Sequence, residues 1–252
     1  EYTDREVVLE VQNLSVSNKV KNVSFQLYKG EVLGLTGLVG SGRTELLQSI
    51  FGMEKMASGK VLINGKEVKI NHPADAIKLG LGMIAEDRKE QGMLLKLSVQ
   101  DNMTIVHLKK LSSALQFINK KRSKEISNKY VNLLSIKTPS LKQISKNLSG
   151  GNQQKTIIAR WLMNQPKILF MDEPTHGIDV GAKAEIYKLI DELSKMGVSV
   201  ILLSSELPEV LALCDRIMVM HHGQLKGILH HQEADQVKIM SFILENSKER
   251  AS

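Results

Sequence analysis

The sequence predicts an α/β fold with a mostly parallel core sheet, an antiparallel β edge and an inserted helical subdomain. Three observations predict it. Strand-length apolar segments run into helical patterns around 31–52 and again from 168 onward, which implies parallel pairing through right-handed crossovers. The chain opens on alternating apolar and polar residues, as half-buried strands do. From about 98 to 165 the strand pattern gives way to helical spacing.

Taken in order, residues 1–6 are polar and read as a linker, with one domain over 7–252. The stretches 7-VVLEVQNL-14 and 23-VSFQL-27 form the β edge. Then 31-EVLGLTG-37 is a strand entering a glycine loop, and 43-RTELLQSIFG-52 a helix with Leu46, Leu47 and Ile50 on one face. Asn64-Gly65 within 60-KVLINGKEV-68 marks a tight hairpin, and 73-PADAIKLG-80 a helix with proline in its first turn and glycine at its end. A strand follows at 81–84. In the helical insertion, about 98–165, Ile126, Tyr130, Leu133 and Leu134 share one face. Strands return at 168–172, 199–203 and 216–220, separated by helices, one of them with Ile186, Leu189, Ile190 and Leu193 on its inner face. Short hydrophobic segments around 224–229 and a helix near 234–245 close the pattern.

Composition narrows the class. A hydrophobic content of 42% suits a globular core, and no apolar run approaches the roughly 20 residues that cross a bilayer. A single cysteine, Cys214, excludes a disulfide framework; its apolar helical setting reads as a buried thiol in a reducing compartment. The net charge of +7 is local: residues 109–146 hold ten Lys/Arg against one acid, Glu125. Such a segment suits a solvated face or attraction to an anionic surface; with only Phe117 and Tyr130 there to stack bases, no nucleic acid is expected.

The stretch 37-GLVGSGRTE-45 has the spacing of a phosphate-binding P-loop in the strand–loop–helix context that the motif requires. Gly37, Leu38, Val39, Gly40, Ser41 and Gly42 would let backbone N–H groups converge on phosphate at a helix N-terminus. Thr44 keeps the hydroxyl that ligates Mg²⁺. Arg43 replaces the usual lysine with a planar fork of different reach. Glu45 opposes a bound polyphosphate by ~3 kcal/mol per unit charge at ~6 Å and an effective dielectric of ~20. A glycine turn with no ligand fits the same loop. An apolar strand ending in two carboxylates, 168-ILFMDE-173, places Asp172 near Mg²⁺ and Glu173 beside an attacking water; a buried structural acid pair fits it too. A second glycine turn, 148-LSGGNQQK-155, precedes an amphipathic helix and makes a second phosphate-ready N-terminus.

On these motifs the chain resembles the nucleotide-binding domain of ATP-binding cassette (ABC) transporters, whose signature is LSGGQ with the variant LSGGN. The resemblance implies a P-loop NTPase ABC cassette that binds ATP and Mg²⁺. With 86-EDRK-89, 172-DEPTHGIDVGAK-183 and 204-SSELPEV-210 it is similar to the second, C-terminal cassette of tandem ATPases that serve bacterial monosaccharide importers of the ribose, galactose and xylose group. That likeness implies Glu173 and Ser205 as catalytic residues, Thr44, Glu86 and Asp172 around the metal, and Leu148, Ser149, Gly150, Gly151 and Asn152 as a signature acting in trans, with Asp179 in the D-loop. Glu86 stands at the usual glutamine of the Q-loop, Ser205 at the switch histidine, and no aromatic near 16–20 stacks adenine. Its own site is therefore expected to bind weakly and hydrolyse poorly. Partners implied are an N-terminal cassette, transmembrane permease subunits and, indirectly, a periplasmic or extracellular sugar-binding protein, with the chain peripheral on the cytoplasmic face of the membrane. A soluble cassette acting on nucleic acid or ribosomes, and a non-hydrolysing nucleotide sensor, are the competing functions.

Overall fold

The computed structural model of the chain describes residues 5–111 and 118–244. Glu1–Asp4 of the expected linker, Phe117, Glu245 and the side chains of Lys109 and Lys110 lie outside the described residues. Strands β1 (Val7–Val16) and β2 (Val20–Tyr28) pair antiparallel, and β1 also pairs with β4 (Ser58–Ile63). Asn64 and Gly65 both take positive φ (49° and 74°), the mirror-image turn that suits strand twist, and join β4 to β5 (Lys66–Val68). The result is a four-stranded sheet in the order β2-β1-β4-β5.

The second sheet has the order β10-β9-β3-β8-β7-β6. Its strands are β3 (Val32–Gly37), β6 (Leu81–Ile84), β7 (Ile168–Asp172), β8 (Ser199–Leu203), β9 (Arg216–His221) and β10 (Gln224–His230). β3 pairs parallel with β8 and β9, and β7 pairs parallel with β8. Every residue of β7, β8 and β9 is buried, which is why these strands read as continuous apolar runs without alternation. The segment around 224–229 is a full strand, β10, antiparallel on the edge. Helices α1 (Arg43–Phe51), α2 (Pro73–Lys78), α3 (Val99–Thr104), α4 (Leu108–Leu111), α5 (Lys120–Leu133), α6 (Gly150–Leu162), α7 (Val180–Lys195), α8 (Leu207–Leu213) and α9 (Gln236–Leu244) complete the order. Cys214 is buried just beyond α8, and burial pushes its thiol pKa up.

The chain divides into two compact units. One comprises Glu1–Met83, Lys167–Glu173 and Ile190–Ser252 and contains both sheets; the other comprises Ile84–Pro166 and Pro174–Leu189 and is helical. Among the described residues no helix is long and apolar enough to cross a membrane. In the helical unit the expected face of α5 is corrected. Ser123, Ser127 and Tyr130 are buried and Leu134 follows them, whereas Leu133 is 56% exposed. Two small residues let α5 approach closely. Ser123 Oγ accepts from Gln100 Nε2 (2.8 Å) and Tyr130 donates its hydroxyl proton to Leu162 O (2.8 Å), so polar groups fix a face that an apolar count misplaces. Arg160 of α6 is a buried cation of the helical unit. It donates to Asn102 O, Gly92 O and Asn102 Oδ1 at 2.7, 2.6 and 2.9 Å, and burial lowers its pKa to about 10.

Candidate functional site

The glycine loop leaves the C-terminal end of β3. Gly37 has φ 150°, and a Cβ there would lie 2.1 Å from Met220 O; Gly42 has φ 90°, and a Cβ there would lie 2.4 Å from Lys19 O. Only glycine fits either place. Gly40 faces open space, and Leu38 and Val39 are exposed, so the loop forms an open cradle. Gly42, at the N-cap of α1, offers no side-chain cap, so the positive end of the helix dipole faces the loop. Ser41 is buried and its Oγ has no hydrogen-bond partner among the described residues, an orphan that a phosphate oxygen would satisfy. The cradle therefore fits a phosphate.

The charged members of the loop behave differently. Arg43 is only 8% exposed and folds toward the end of β8, Nη1 donating to Ser204 O at 3.4 Å. Thr36 Oγ1 donates to the same carbonyl at 3.2 Å. Glu45 is not left to oppose phosphate alone: Lys19 Nζ pairs with its Oε1 at 3.0 Å. Burial works against its ionisation, but the Lys19 bond, its own N–H and the Lys19 charge hold the carboxyl below the usual range.

Strand register brings the other candidates of this unit to the same sheet edge, since Leu203 stands opposite both Leu35 and Asp172. Asp172 is buried at the tip of β7. Glu173 adopts the left-handed conformation at φ 46°, its N–H donating to Leu203 O, and its Oε1 accepts from the Ser205 N–H at 2.7 Å. A non-glycine residue held there is strained, and the strain turns the carboxylate onto the 204–205 loop. Ser205 is exposed and takes part through its backbone; its hydroxyl has no hydrogen-bond partner among the described residues. Among the described residues no three His, Cys, Asp or Glu side chains form a metal cage. Mg²⁺ entering with a polyphosphate needs only one or two protein donors, which Thr44 and Asp172 supply in kind.

The helical unit carries Glu86, the signature and Asp179. Ser149 precedes α6 in extended conformation, exposed, its Oγ accepting from Asn152 Nδ2 at 2.8 Å; Asn152 Oδ1 accepts from Lys137 N at 2.8 Å. The signature asparagine thus ties the turn to the irregular segment that follows α5. Leu148 is half-buried, and a Cβ on Gly151 would lie 2.5 Å from Ala182 Cβ. Asp179 Oδ1 accepts from Ala182 N at 3.0 Å and caps α7. Glu86 is exposed. Sequence reasoning gave no role to Thr36, Lys19 or Arg88. Lys19 lies in the stretch read only for an adenine-stacking aromatic, and Arg88 inside a quoted motif whose arginine had no role.

Residues 20–176 match the family model for the ABC transporter. A ribose import ATP-binding protein of Clostridium tetani is 52% identical over 94% of this chain and 47% of its own length. A galactose/methyl galactoside import ATP-binding protein of the same organism is 49% identical over 96% and 48%. An ATP-binding cassette of an ABC transporter, solved in its ADP conformation, superposes with TM-score 0.78 at 25% identity, covering 93% of this chain and 94% of that one. The chain spans about half the length of the curated relatives it matches.

Proposed function

Because the chain belongs to the ABC transporter family, we propose that it is the cassette half of a bacterial monosaccharide-import ATPase, weak at its own nucleotide site and competent through its signature. Identity of 52% and 49% to ribose and galactose/methyl galactoside import ATP-binding proteins supports the substrate class. The half of each relative that this chain does not cover leaves room for a partner cassette of similar size. Permease subunits and a sugar-binding protein would complete the importer, with this chain peripheral on the cytoplasmic face.

The observation that carries the division of labour is the contrast between Arg43 and Ser149. The cation of the loop is buried against Ser204 O, whereas Ser149 stands exposed and no side chain caps the first turn of α6. In this reading Ser41 and the loop amides bind phosphate, Thr44 and Asp172 hold Mg²⁺, and Glu173, oriented by Ser205 N, would position water. The missing lysine ammonium makes those steps slow. The signature meanwhile covers a nucleotide held by the partner cassette, where it stabilises charge on the terminal phosphate.

Reconstituting the full-length ATPase with its permease tests the proposal. Ser149→Arg is expected to remove nearly all transport-coupled hydrolysis, and Glu173→Gln to cost far less than the equivalent change in the partner cassette, with rates compared at about 1.4 kcal/mol per tenfold. Thermal unfolding and assembly of the arginine variant are measured alongside. If Glu173→Gln is the more damaging of the two, the site on this chain is the working one and the roles are reversed.

A further inference from the structure

The segment after β6 is stitched to α6 over three successive turns. Asp87 Oδ1 accepts from Lys89 N and Glu90 N (2.8 and 2.9 Å), and its carbonyl accepts from Gln91 N and Gly92 N, winding Arg88–Gly92 into one wide π-helical turn. That turn aims Arg88 at α6, where its Nε donates to Gln153 Oε1 at 3.2 Å. Gln153 is itself buried and donates from Nε2 to Ser145 O at 3.1 Å. One turn on, a Cβ on Gly92 would lie 3.0 Å from Ile157 Cδ1; a further turn on, Arg160 Nη1 reaches Gly92 O at 2.6 Å. Gln153, Ile157 and Arg160 share one face of α6 at i, i+4, i+7 spacing, so the segment lies along the helix as a brace.

The guanidinium of Arg88 also lies close against the first turn of α6. A Cβ on Gly150 would lie 3.2 Å from Arg88 Nη2, tighter than ordinary van der Waals contact. Arg88 Nη1 is buried with no hydrogen-bond partner among the described residues. A cation at the positive end of a helix dipole, part desolvated, is not placed there for the stability of the helix.

We propose that Arg88 is a positioning residue: through Gln153 it fixes the signature turn Leu148–Asn152 to the Arg88–Gly92 turn, and so sets the position of Ser149. The proposal rests on the reading that the signature acts on nucleotide held by a partner cassette. Two readouts test it. In the full-length ATPase with its permease, Arg88→Ala lowers kcat for ATP about tenfold or more while KM stays within about twofold, Arg88→Lys recovers part of the loss, and adding Gln153→Ala to Arg88→Ala lowers it little further. In the nucleotide-free protein, hydrogen exchange at the Gln153 and Gln154 amides rises about tenfold in Arg88→Ala at unchanged melting temperature. Unchanged exchange overturns the positioning role whether or not the importer hydrolyses ATP. A raised KM with kcat retained overturns it in favour of direct nucleotide contact, and a kcat loss matched by lost folding or assembly reduces Arg88 to a packing residue. Failure of the functional reading shows separately, as wild-type turnover indifferent to Ser149→Arg.

Discussion

Asp87 is the residue through which acid reaches the brace on α6. Its carboxyl is held below the ordinary carboxylate range first by the N–H of Glu90; desolvation opposes this, and the N–H of Lys89 with the Lys89 and Arg88 charges outweighs it. A depressed carboxylate pKa contributes stability that is full above the unfolded value, about 3.9, and is lost as pH falls through the lower folded value. Amide exchange at Lys89 and Glu90, corrected for intrinsic rates, is therefore expected to rise as pH drops from about 5 to 3, and Asp87→Ala should show the fast exchange already at pH 7. A pH-independent profile in the wild type would remove Asp87 as the cap. The same residue scale separates the two ends of the glycine loop: Glu45 has Lys19 at 3.0 Å, so the repulsion of phosphate inferred from its charge alone is largely cancelled.

At the scale of elements, α5 stands out by its charge. Lys120, Lys121, Arg122 and Lys124 crowd its first turns, exposed and without an ion pair among the described residues, where the helix dipole favours anions. Reversing Lys120, Lys121 and Arg122 to glutamate should hold or raise the melting temperature and weaken assembly with the proposed membrane subunits at low salt, the difference fading as salt rises. Assembly unchanged at low salt would make the face a solubilising one. The elements also show what a sequence makes legible. The Asn64-Gly65 hairpin, the proline-started α2 and the buried strands β7, β8 and β9 follow from local chemistry, because turn residues and apolar runs act within a few positions. The face of α5 did not, since Ser123 is buried against Gln100 of another helix and Ser127 lies buried on the same face. In the site, the glycine cradle and the carboxylates were readable as motifs. The direction of Arg43, the Lys19 pair and the Arg88 contact were not, because each depends on a neighbour brought in by another strand or helix.

At the scale of the whole molecule, the two sheets of the first unit are clamped by a buried ion pair. Arg216 at the start of β9 donates to Glu31 Oε1 and Oε2 at 2.6 and 3.1 Å and to Gln26 O of β2 at 2.7 Å, its guanidinium 4.7 Å from the Tyr28 ring centre. Glu31 Oε2 also accepts from Tyr28 N at 2.7 Å, so β2 and β9 share one set of charges. Arg216→Met strands a fully buried carboxylate and is expected to destabilise by about 3–5 kcal/mol, a large share of a typical domain's total. Pairing it with Glu31→Gln should recover part of that in a denaturant titration, because the isolated charge is gone; no recovery would mean that packing, and not the pair, holds the sheets together. The same two sheets also meet at a single carbonyl, Lys19 O, against which Gly42 and Gly223 both press; a Cβ on either would come within 2.4 Å. Gly37 is likewise pinned by Met220 O. Two glycines of the nucleotide loop are therefore demanded by the architecture whatever the loop binds, and a descendant that had ceased to bind nucleotide would still have to inherit them. Arg43 and Glu45, whose side chains are not bound by that steric rule, are where such a change in occupation would be written, and the outline of the loop can outlive its chemistry.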